Sequence, residues 1–171
     1  MTRIALSGKM GSGKTHYAKI FQSAYGGERL SLATPIKSLW DNFEDREWSS
    51  KRHFCQLVGH GLREFDPDVW TRMFEDRLIE MDGEENIIVD DVRYPNEVEL
   101  LEEYGFRVVR LVVSDSDRLK HLPPDLEVRY VVDGGELALD SYKFDYQFHH
   151  RYREEDEVIF LDFVRALKRG E

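Results

Sequence analysis

The chain has 171 residues, which is the length of one domain with a hydrophobic core. Its 34 acidic and 24 basic side chains leave a net charge of −10, and such a chain repels duplex DNA, RNA and anionic membranes. The single cysteine, Cys55, excludes an internal disulfide, and no apolar run approaches the ~20 residues of a membrane span. We therefore expect a soluble, cytoplasmic protein with no membrane contact, for which polynucleotide binding is unfavourable.

The first element is a short, mostly apolar segment at residues 3–7, which predicts a buried strand. The sequence GKMGSGKT follows from Gly8 to Thr15 and has the form G-x-x-x-x-G-K-[ST] of a phosphate-binding loop. Residues 14–24 then show helical spacing. The side chains predicted on the inner side of this helix are Tyr17, Ala18, Phe21 and Ala24. A strand, a loop and a helix in this order are the context in which the motif binds the phosphates of a nucleotide.

Each residue type that the motif specifies has a physical task. Glycines let the backbone curl so that successive N–H groups point at phosphate oxygens, and the N-terminus of the following helix adds positive charge. Lys14 would reach the β and γ phosphates of ATP, and the Thr15 hydroxyl would bind Mg²⁺. The predicted ATP-binding residues are Gly8, Gly11, Ser12, Gly13, Lys14 and Thr15.

The rest of the chain alternates between helix-like and strand-like segments, which predicts an α/β fold with a parallel sheet flanked by helices. Helices are predicted from Pro35 to about residue 43, and at 51–59, 68–81, 95–104 and 154–168. Further strands are predicted at 86–90, 106–113 and 144–148. In the last helix the predicted inner side chains are Val158, Leu161, Val164 and Leu167.

Residues 114–140 lack a clear period and are too long for an ordinary connection. They carry paired prolines, paired glycines and both signs of charge, which is typical of a lid that closes over bound phosphates. The basic side chains predicted to serve this lid are Arg118, Lys120 and Arg129.

Two acids end the strand predicted at 86–90. Because neighbouring residues of a strand project to opposite faces, only one of Asp90 and Asp91 can point at a magnesium ion beside the loop. The count along the strand favours Asp90, which ends the apolar run. Five of the six histidines, at 53, 60, 121, 149 and 150, lack metal-ligand spacing, and we interpret them as solvated or structural.

Three further blocks of sequence resemble a known family. Residues 91–97 read DVRYPNE, residues 32–37 read LATPIK, and residues 61–70 read GLREFDPDVW. Together with the loop, these blocks resemble the deoxynucleoside monophosphate kinases of tailed bacteriophages, within the adenylate-kinase-like P-loop kinases. The chain departs from that family at Thr15, where many members have Asp, and at residues 149–153, which replace an Asn before the last helix.

The resemblance implies one P-loop kinase domain over residues 1–171, with the lid within it, that transfers phosphate from ATP to a deoxynucleoside 5′-monophosphate with Mg²⁺. It favours Asp91 over Asp90 as the acid that joins Thr15 at the metal. It implies catalytic roles for Lys14, Arg93 and Asp91. The residues implied in dNMP binding are Lys37, Arg63, Trp70 and Arg93. It also implies the cytoplasm of an infected host cell as the location, and leaves a homodimer open.

The residues independently favour such a reaction, because two polyanions that approach each other need arginines spread over several segments. Two alternatives stay open. One is a P-loop kinase of another acceptor, such as a modified base in DNA or a small metabolite. The other is a nucleotide-binding protein without turnover.

Overall fold

A computed structural model describes residues 1–43, 50–81, 83, 85–122 and 137–169. The chain divides into two compact units, one made of residues 1–29 with 84–171 and the other of residues 30–83. The assignment of residues 1–171 to one domain, with a lid at 114–140, stays a prediction. In the described part of the chain, no helix combines the length and apolarity that crossing a membrane requires.

The first unit is built on a five-stranded parallel sheet, which confirms the predicted fold class. The strands are β1 (Arg3–Ser7), β2 (Glu28–Leu30), β3 (Ile87–Val92), β4 (Arg107–Val112) and β5 (Tyr146–His149). Their order in the sheet is β2-β3-β1-β4-β5, so β1 is central and the segment that follows it leaves from the middle of the sheet. The segment after β1 begins at the carboxyl ends of the parallel strands, and this is the edge at which open α/β sheets bind their ligands.

Helices account for most of the remaining structure in the described part of the chain. They are α1 (Lys14–Tyr25), α2 (Thr34–Asp41), α3 (Lys51–Phe65), α4 (Val69–Glu80), α5 (Pro95–Glu103), α6 (Asp115–Arg118), a 3₁₀ turn (Leu119–His121) and α7 (Glu154–Arg169). The buried core of the first unit joins α1, the sheet and α7, and includes Leu6, Tyr17, Phe21, Phe148 and Phe160.

The second unit contains α2, α3 and α4. The prediction that its middle helix ends at Gly59 is wrong, because α3 continues through Gly59 and Gly61 to Phe65. Gly59 is buried, and a β-carbon there would lie 3.2 Å from Cδ1 of Ile36. The glycine therefore serves close packing, which outweighs its low helix propensity.

Two local predictions also need correction, and one strand was not predicted at all. The short strand β2 was not predicted, since three residues give no readable alternation. Ala24 is exposed, unlike the other three side chains predicted on the inner side of α1. In α7, Val158 is 62% exposed, while Asp156 is buried. The Asp156 carboxylate accepts the backbone N–H groups of Arg151 and Arg153 at 2.8 and 2.9 Å, so capping of the helix sets which side of its first turn faces inward.

Candidate nucleotide-binding site

The phosphate loop connects the central strand β1 to the first residue of α1. Gly11 and Gly13 have φ angles of 79° and 83°, in the left-handed region that favours glycine. A β-carbon on Gly11 would also lie 2.7 Å from the carbonyl oxygen of Arg118. Both the backbone conformation and the close approach of Arg118 therefore require glycine at residue 11.

Lys14 lies over the loop that precedes it. Its ammonium donates hydrogen bonds to the carbonyl oxygens of Gly8 and, at 3.1 Å, of Lys9. A cation held by backbone carbonyls can exchange these partners for the oxygens of an anion that enters the loop. The role of Lys14 at the phosphates of ATP stays a prediction.

The side chain after Lys14 contacts the strand next to β1. The Thr15 hydroxyl donates to Oδ2 of Asp90 at 2.9 Å. Arg29 holds the same carboxylate with its Nε at 3.0 Å from Oδ1 and its Nη2 at 2.6 Å from Oδ2. The Asp90 side chain is only 5% exposed, and the forked arginine compensates the cost of burying its charge.

This hydroxyl and this carboxylate are the oxygen ligands that Mg²⁺ prefers. Among the described residues, no group of three or more His, Cys, Asp or Glu side chains could hold a metal ion. A magnesium ion at Thr15 and Asp90 would therefore need further oxygens from bound phosphates and water, as is usual for nucleotide sites.

Asp90, rather than Asp91, occupies the place beside Thr15. The family resemblance favoured Asp91, and the structure corrects that choice, because successive residues of β3 project to opposite faces of the sheet. Arg29 is a further residue of this site that no motif in the sequence indicates. Arg29 is 61 residues from Asp90 in the chain, and no spacing rule links residues that far apart.

The block DVRYPNE at 91–97 forms the turn from β3 into α5. The Glu97 carboxylate is buried and accepts the backbone N–H groups of Arg93 and Tyr94 at 2.7 and 3.1 Å. Pro95 stands at the start of α5, where its missing N–H costs nothing. The proline and the glutamate therefore hold the backbone of the half-buried Arg93.

Three of the predicted acceptor-binding residues lie in the second unit. Trp70 is 2% exposed and its indole N–H donates to the Gly59 carbonyl at 3.1 Å, so it is a core residue and not a substrate contact. Arg63 donates to the same carbonyl at 3.2 Å. Lys37 is exposed and its ammonium donates to the Ser31 hydroxyl at 2.7 Å. The roles of Arg63 and Lys37 stay predictions.

The predicted lid residues have different environments. Arg118 is 8% exposed, and it donates to Oδ1 of Asp115 at 2.6 Å and to the Met10 carbonyl at 3.1 Å. Its guanidinium thus contacts the loop backbone, and its role in the lid stays a prediction. Lys120 is exposed and pairs with Asp117 at 2.9 Å. Arg129 lies within residues 123–136, outside the described residues, and the lid stays a prediction.

A second ion-pair group connects β4 to the loop. Arg110 donates to the Ser7 hydroxyl at 3.0 Å and to Oδ1 of Asp140 at 2.9 Å. The other oxygen of Asp140 lies 3.1 Å from the ammonium of Lys9, the second residue of the loop. Sequence analysis missed this group, because its members come from separate segments.

His150 and Tyr152 also contact the loop. His150 is 4% exposed, and its Nε2 lies 3.0 Å from the Ser12 carbonyl. Burial lowers the pKa of His150, which favours the neutral ring. The Tyr152 hydroxyl donates to the Gly11 carbonyl. The centroid of the Tyr152 ring lies 3.8 Å from the centroid of the His121 ring.

Comparison with solved structures places this arrangement in the P-loop kinase fold. The chain is similar to shikimate kinase from Bacteroides thetaiotaomicron (TM-score 0.59, 18% identity, 98% of both chains). It is similar to shikimate kinase from Acinetobacter baumannii in complex with shikimate (TM-score 0.60, 15% identity, 100% of this chain and 95% of the other). It is also similar to a gluconokinase from Sinorhizobium meliloti 1021 (TM-score 0.57, 13% identity, 99% and 97%).

Comparison by sequence finds viral relatives. The chain is 30% identical over 150 residues to uncharacterized protein ORF77 of Ictalurid herpesvirus 1 (strain Auburn), which is 83% of this chain and 60% of that protein. It is 32% identical over 108 residues to uncharacterized protein ORF76 of the same virus, and the match covers 61% of this chain and 45% of that protein. The chain thus spans about half the length of these relatives. No family model matches it.

Proposed function

We propose that this protein is an ATP-dependent kinase of a small-molecule acceptor, and that the acceptor is a deoxynucleoside 5′-monophosphate. The observation that carries the kinase proposal is the group of Lys14, Thr15 and Asp90 at the carboxyl end of the central strands. A nucleotide phosphate chain needs a cation, a hydroxyl and a carboxylate of this kind at the edge of such a loop.

The residues would share the reaction as follows. The loop N–H groups and the α1 N-terminus bind the β and γ phosphates, and Lys14 neutralises the charge that develops during transfer. Thr15 and Asp90 would hold Mg²⁺, and the ion would neutralise part of the charge on the phosphate groups. Arg29 pairs with the Asp90 carboxylate through two hydrogen bonds and orients it.

The transfer itself needs no covalent intermediate on the protein. A phosphate oxygen of the acceptor bonds to the γ-phosphorus of ATP, the bond to the β–γ bridging oxygen breaks, and ADP leaves. Positioning and electrostatic stabilisation supply the catalysis. Arg93, at the end of β3, is the proposed contact of the acceptor phosphate, and its guanidinium suits bidentate binding of such a group.

The choice of a deoxynucleoside monophosphate rests on the resemblance of three blocks, at 32–37, 61–70 and 91–97, to phage kinases of these substrates. Lys37 and Arg63 are proposed as further acceptor residues on the same basis. Of the three blocks, the one at 91–97 has the clearest structural support, because the carboxylate of its Glu97 accepts the backbone N–H of Arg93 and holds that residue in place.

A second candidate is a kinase of a small hydroxyl-bearing metabolite, since shikimate kinase and gluconokinase share the fold. A hydroxyl acceptor must lose a proton during transfer and needs a base to take it, whereas a phosphate dianion already offers an unprotonated oxygen. The two candidates therefore differ in the acceptor and in the need for a base.

The test is ADP production from MgATP with each dNMP, each NMP, shikimate, gluconate and an oligonucleotide, each against an acceptor-free control. We expect turnover with one or more dNMPs and none with the oligonucleotide. Turnover with shikimate or gluconate and with none of the nucleotides would contradict the deoxynucleoside monophosphate as the acceptor and favour a hydroxyl-bearing metabolite. Binding of ATP without turnover on any acceptor would favour a nucleotide-binding protein and contradict the kinase.

A further inference from the structure

Three consecutive carbonyl groups of the phosphate loop accept hydrogen bonds from side chains outside the loop. The donors are Arg118 to Met10 at 3.1 Å, Tyr152 to Gly11, and Nε2 of His150 to Ser12 at 3.0 Å. These donors lie between 108 and 141 residues away from their acceptors along the chain. We call Arg118, His150 and Tyr152 the outer clamp.

The outer clamp controls the direction of the loop N–H groups through the planarity of the peptide bond. In a trans peptide, the carbonyl of one residue points opposite to the N–H of the next. Carbonyls 10–12 that are held toward the clamp therefore turn the N–H groups of residues 11–13 toward the other side of the backbone. The N–H of Ser12 donates there to the Lys9 carbonyl at 3.0 Å, and an anion that enters the loop would replace this acceptor. In a loop of this type, N–H groups of successive residues bind the phosphate oxygens.

The clamp side chains are themselves held in place. Arg118 and His150 are 8% and 4% exposed, and the Arg118 guanidinium also pairs with Asp115. Burial lowers the pKa of His150 and so keeps the ring neutral, with the proton on Nε2, because a carbonyl can only accept. Nδ1 is then an acceptor, and it is buried with no hydrogen-bond partner among the described residues.

Tyr152 shows that the clamp has a conformational cost. Its φ is 61°, in the left-handed region, and it is the one non-glycine with a positive φ among the described residues. A bulky residue keeps such a backbone only where its surroundings over-determine it, and such sites concentrate where ligands bind. Here the side chain donates to Gly11 and packs against the rings of His121 and His150.

We propose that Arg118, His150 and Tyr152 are positioning residues that hold the phosphate loop in its anion-binding conformation before the nucleotide arrives. Their effect on affinity comes from order already present in the free protein, since a preorganised site loses less conformational freedom when its ligand binds. This inference rests on the proposed function only in taking the ligand to be ATP or ADP. The hydrogen bonds that hold the loop exist without that assumption.

The first test measures the loop in the free protein. Tyr152→Phe removes one hydroxyl and keeps the ring, and His150→Leu removes the imidazole N–H. We expect amide hydrogen exchange in residues 8–15 to become about three- to tenfold faster in each variant, which is the usual effect of one lost hydrogen bond. His150→Gln keeps a side-chain N–H donor and is expected to stay closer to wild type than His150→Leu.

The matched control is Tyr25→Phe. The Tyr25 hydroxyl donates to the Leu161 carbonyl at 3.3 Å, so this variant also removes one tyrosine-to-carbonyl hydrogen bond from the first unit, away from the loop. It is expected to leave exchange in residues 8–15 unchanged. If the clamp residues served only the stability of the fold, Tyr152→Phe and His150→Leu would lower the melting temperature, as Tyr25→Phe would, without a selective effect on hydrogen exchange in the loop.

The second test measures MgADP affinity by calorimetry in the same proteins. We expect Tyr152→Phe and His150→Leu to weaken binding by about three- to tenfold, and Tyr25→Phe to bind as wild type does. Unchanged loop exchange in folded Tyr152→Phe and His150→Leu would overturn the proposal. Weaker MgADP binding with unchanged loop exchange would also overturn it, because it would indicate direct nucleotide contact.

The two proposals fail in different ways. If wild-type protein does not bind MgADP but loop exchange still responds to the clamp variants, the proposed function is wrong and the clamp stands. If Tyr152→Phe fails to fold, the comparison of His150→Gln with His150→Leu decides the clamp, because both replace the same buried ring.

Discussion

The hydroxyl of Thr15 donates a hydrogen bond to the buried carboxylate of Asp90 across 2.9 Å. Thr15 is the last residue of the phosphate-binding motif, and Asp90 lies in β3, the parallel neighbour of β1. This contact joins the two oxygen ligands that a nucleotide-bound Mg²⁺ would use. It also identifies which of two adjacent acids faces the loop, and it leads directly to a test.

Asp90→Asn should reduce activity far more than Asp91→Asn. Asp90→Asn removes the negative charge from the group to which Thr15 and Arg29 donate hydrogen bonds. Asp91→Asn changes a side chain on the opposite face of β3. We expect about 10² or more lost in turnover for Asp90→Asn, with partial recovery at high Mg²⁺. Turnover measured across a magnesium titration checks this. A larger loss for Asp91→Asn would restore the assignment that the family resemblance favoured.

Lys14→Ala should abolish phosphoryl transfer without unfolding the protein. One preorganised charge at a transferring phosphate is typically worth about 10² or more in rate. The exposed Lys19 on α1 supplies a control, since Lys19→Ala removes the same charge from the same helix. Turnover and circular dichroism of both variants check the prediction. More than a tenth of wild-type turnover in Lys14→Ala would exclude this loop from catalysis.

Arg93→Ala should weaken acceptor binding more than ATP binding. Loss of a charge-assisted contact to the acceptor phosphate costs about 1.5–3 kcal/mol, which is about tenfold or more in KM. Steady-state KM values for dNMP and for ATP check this, with the exposed Arg165→Ala on α7 as control. A selective rise in the KM for ATP would reverse the assignment of Arg93.

Glu97→Ala should lower both stability and acceptor affinity. Its buried carboxylate accepts the N–H groups of Arg93 and Tyr94, and loss of such a cap typically costs about 0.5–2 kcal/mol. Because the turn holds the Arg93 backbone, the KM for the acceptor should rise as well. Chemical denaturation and KM check both parts, with the exposed Glu99→Ala as control. Lower stability with an unchanged acceptor KM would limit Glu97 to a structural role.

Asp156 should make stability depend on pH in the acidic range. Burial alone would raise the pKa of this carboxyl, but hydrogen bonds from Arg151 and Arg153 outweigh burial and lower it below 3.8. Because the pKa of Asp156 is lower in the folded protein than in the unfolded chain, its contribution to stability is complete at a pH above the pKa of the unfolded chain. The contribution is lost as the pH falls through the pKa of the folded protein. The stability difference between wild type and Asp156→Asn should therefore be present at pH 7 and shrink below about pH 4. Denaturation of both proteins from pH 7 to pH 3 checks this, and a constant difference would contradict it.

The sequence by itself determined the features that depend on neighbouring residues. The spacing of Gly8, Gly13 and Lys14 predicts a phosphate loop because a strand, a turn and a helix start are local structures. The structure confirms this order and the parallel sheet around it. The helix predicted at 95–104 agrees with α5 for the same reason, since its start signal, Pro95, is local.

Only the tertiary structure decided which distant groups meet. Arg29 and Asp90 are 61 residues apart, and Tyr152 and Gly11 are 141 residues apart, so no spacing in the sequence links either pair. The choice between Asp90 and Asp91 depends on which face of β3 points at Thr15, and the order of the strands sets that face. Packing likewise decided that α3 continues through Gly59 and that Asp156, not Val158, faces inward. Local propensities are worth tenths of a kcal/mol to about 1 kcal/mol, and burial and hydrogen bonding between distant segments outweigh them.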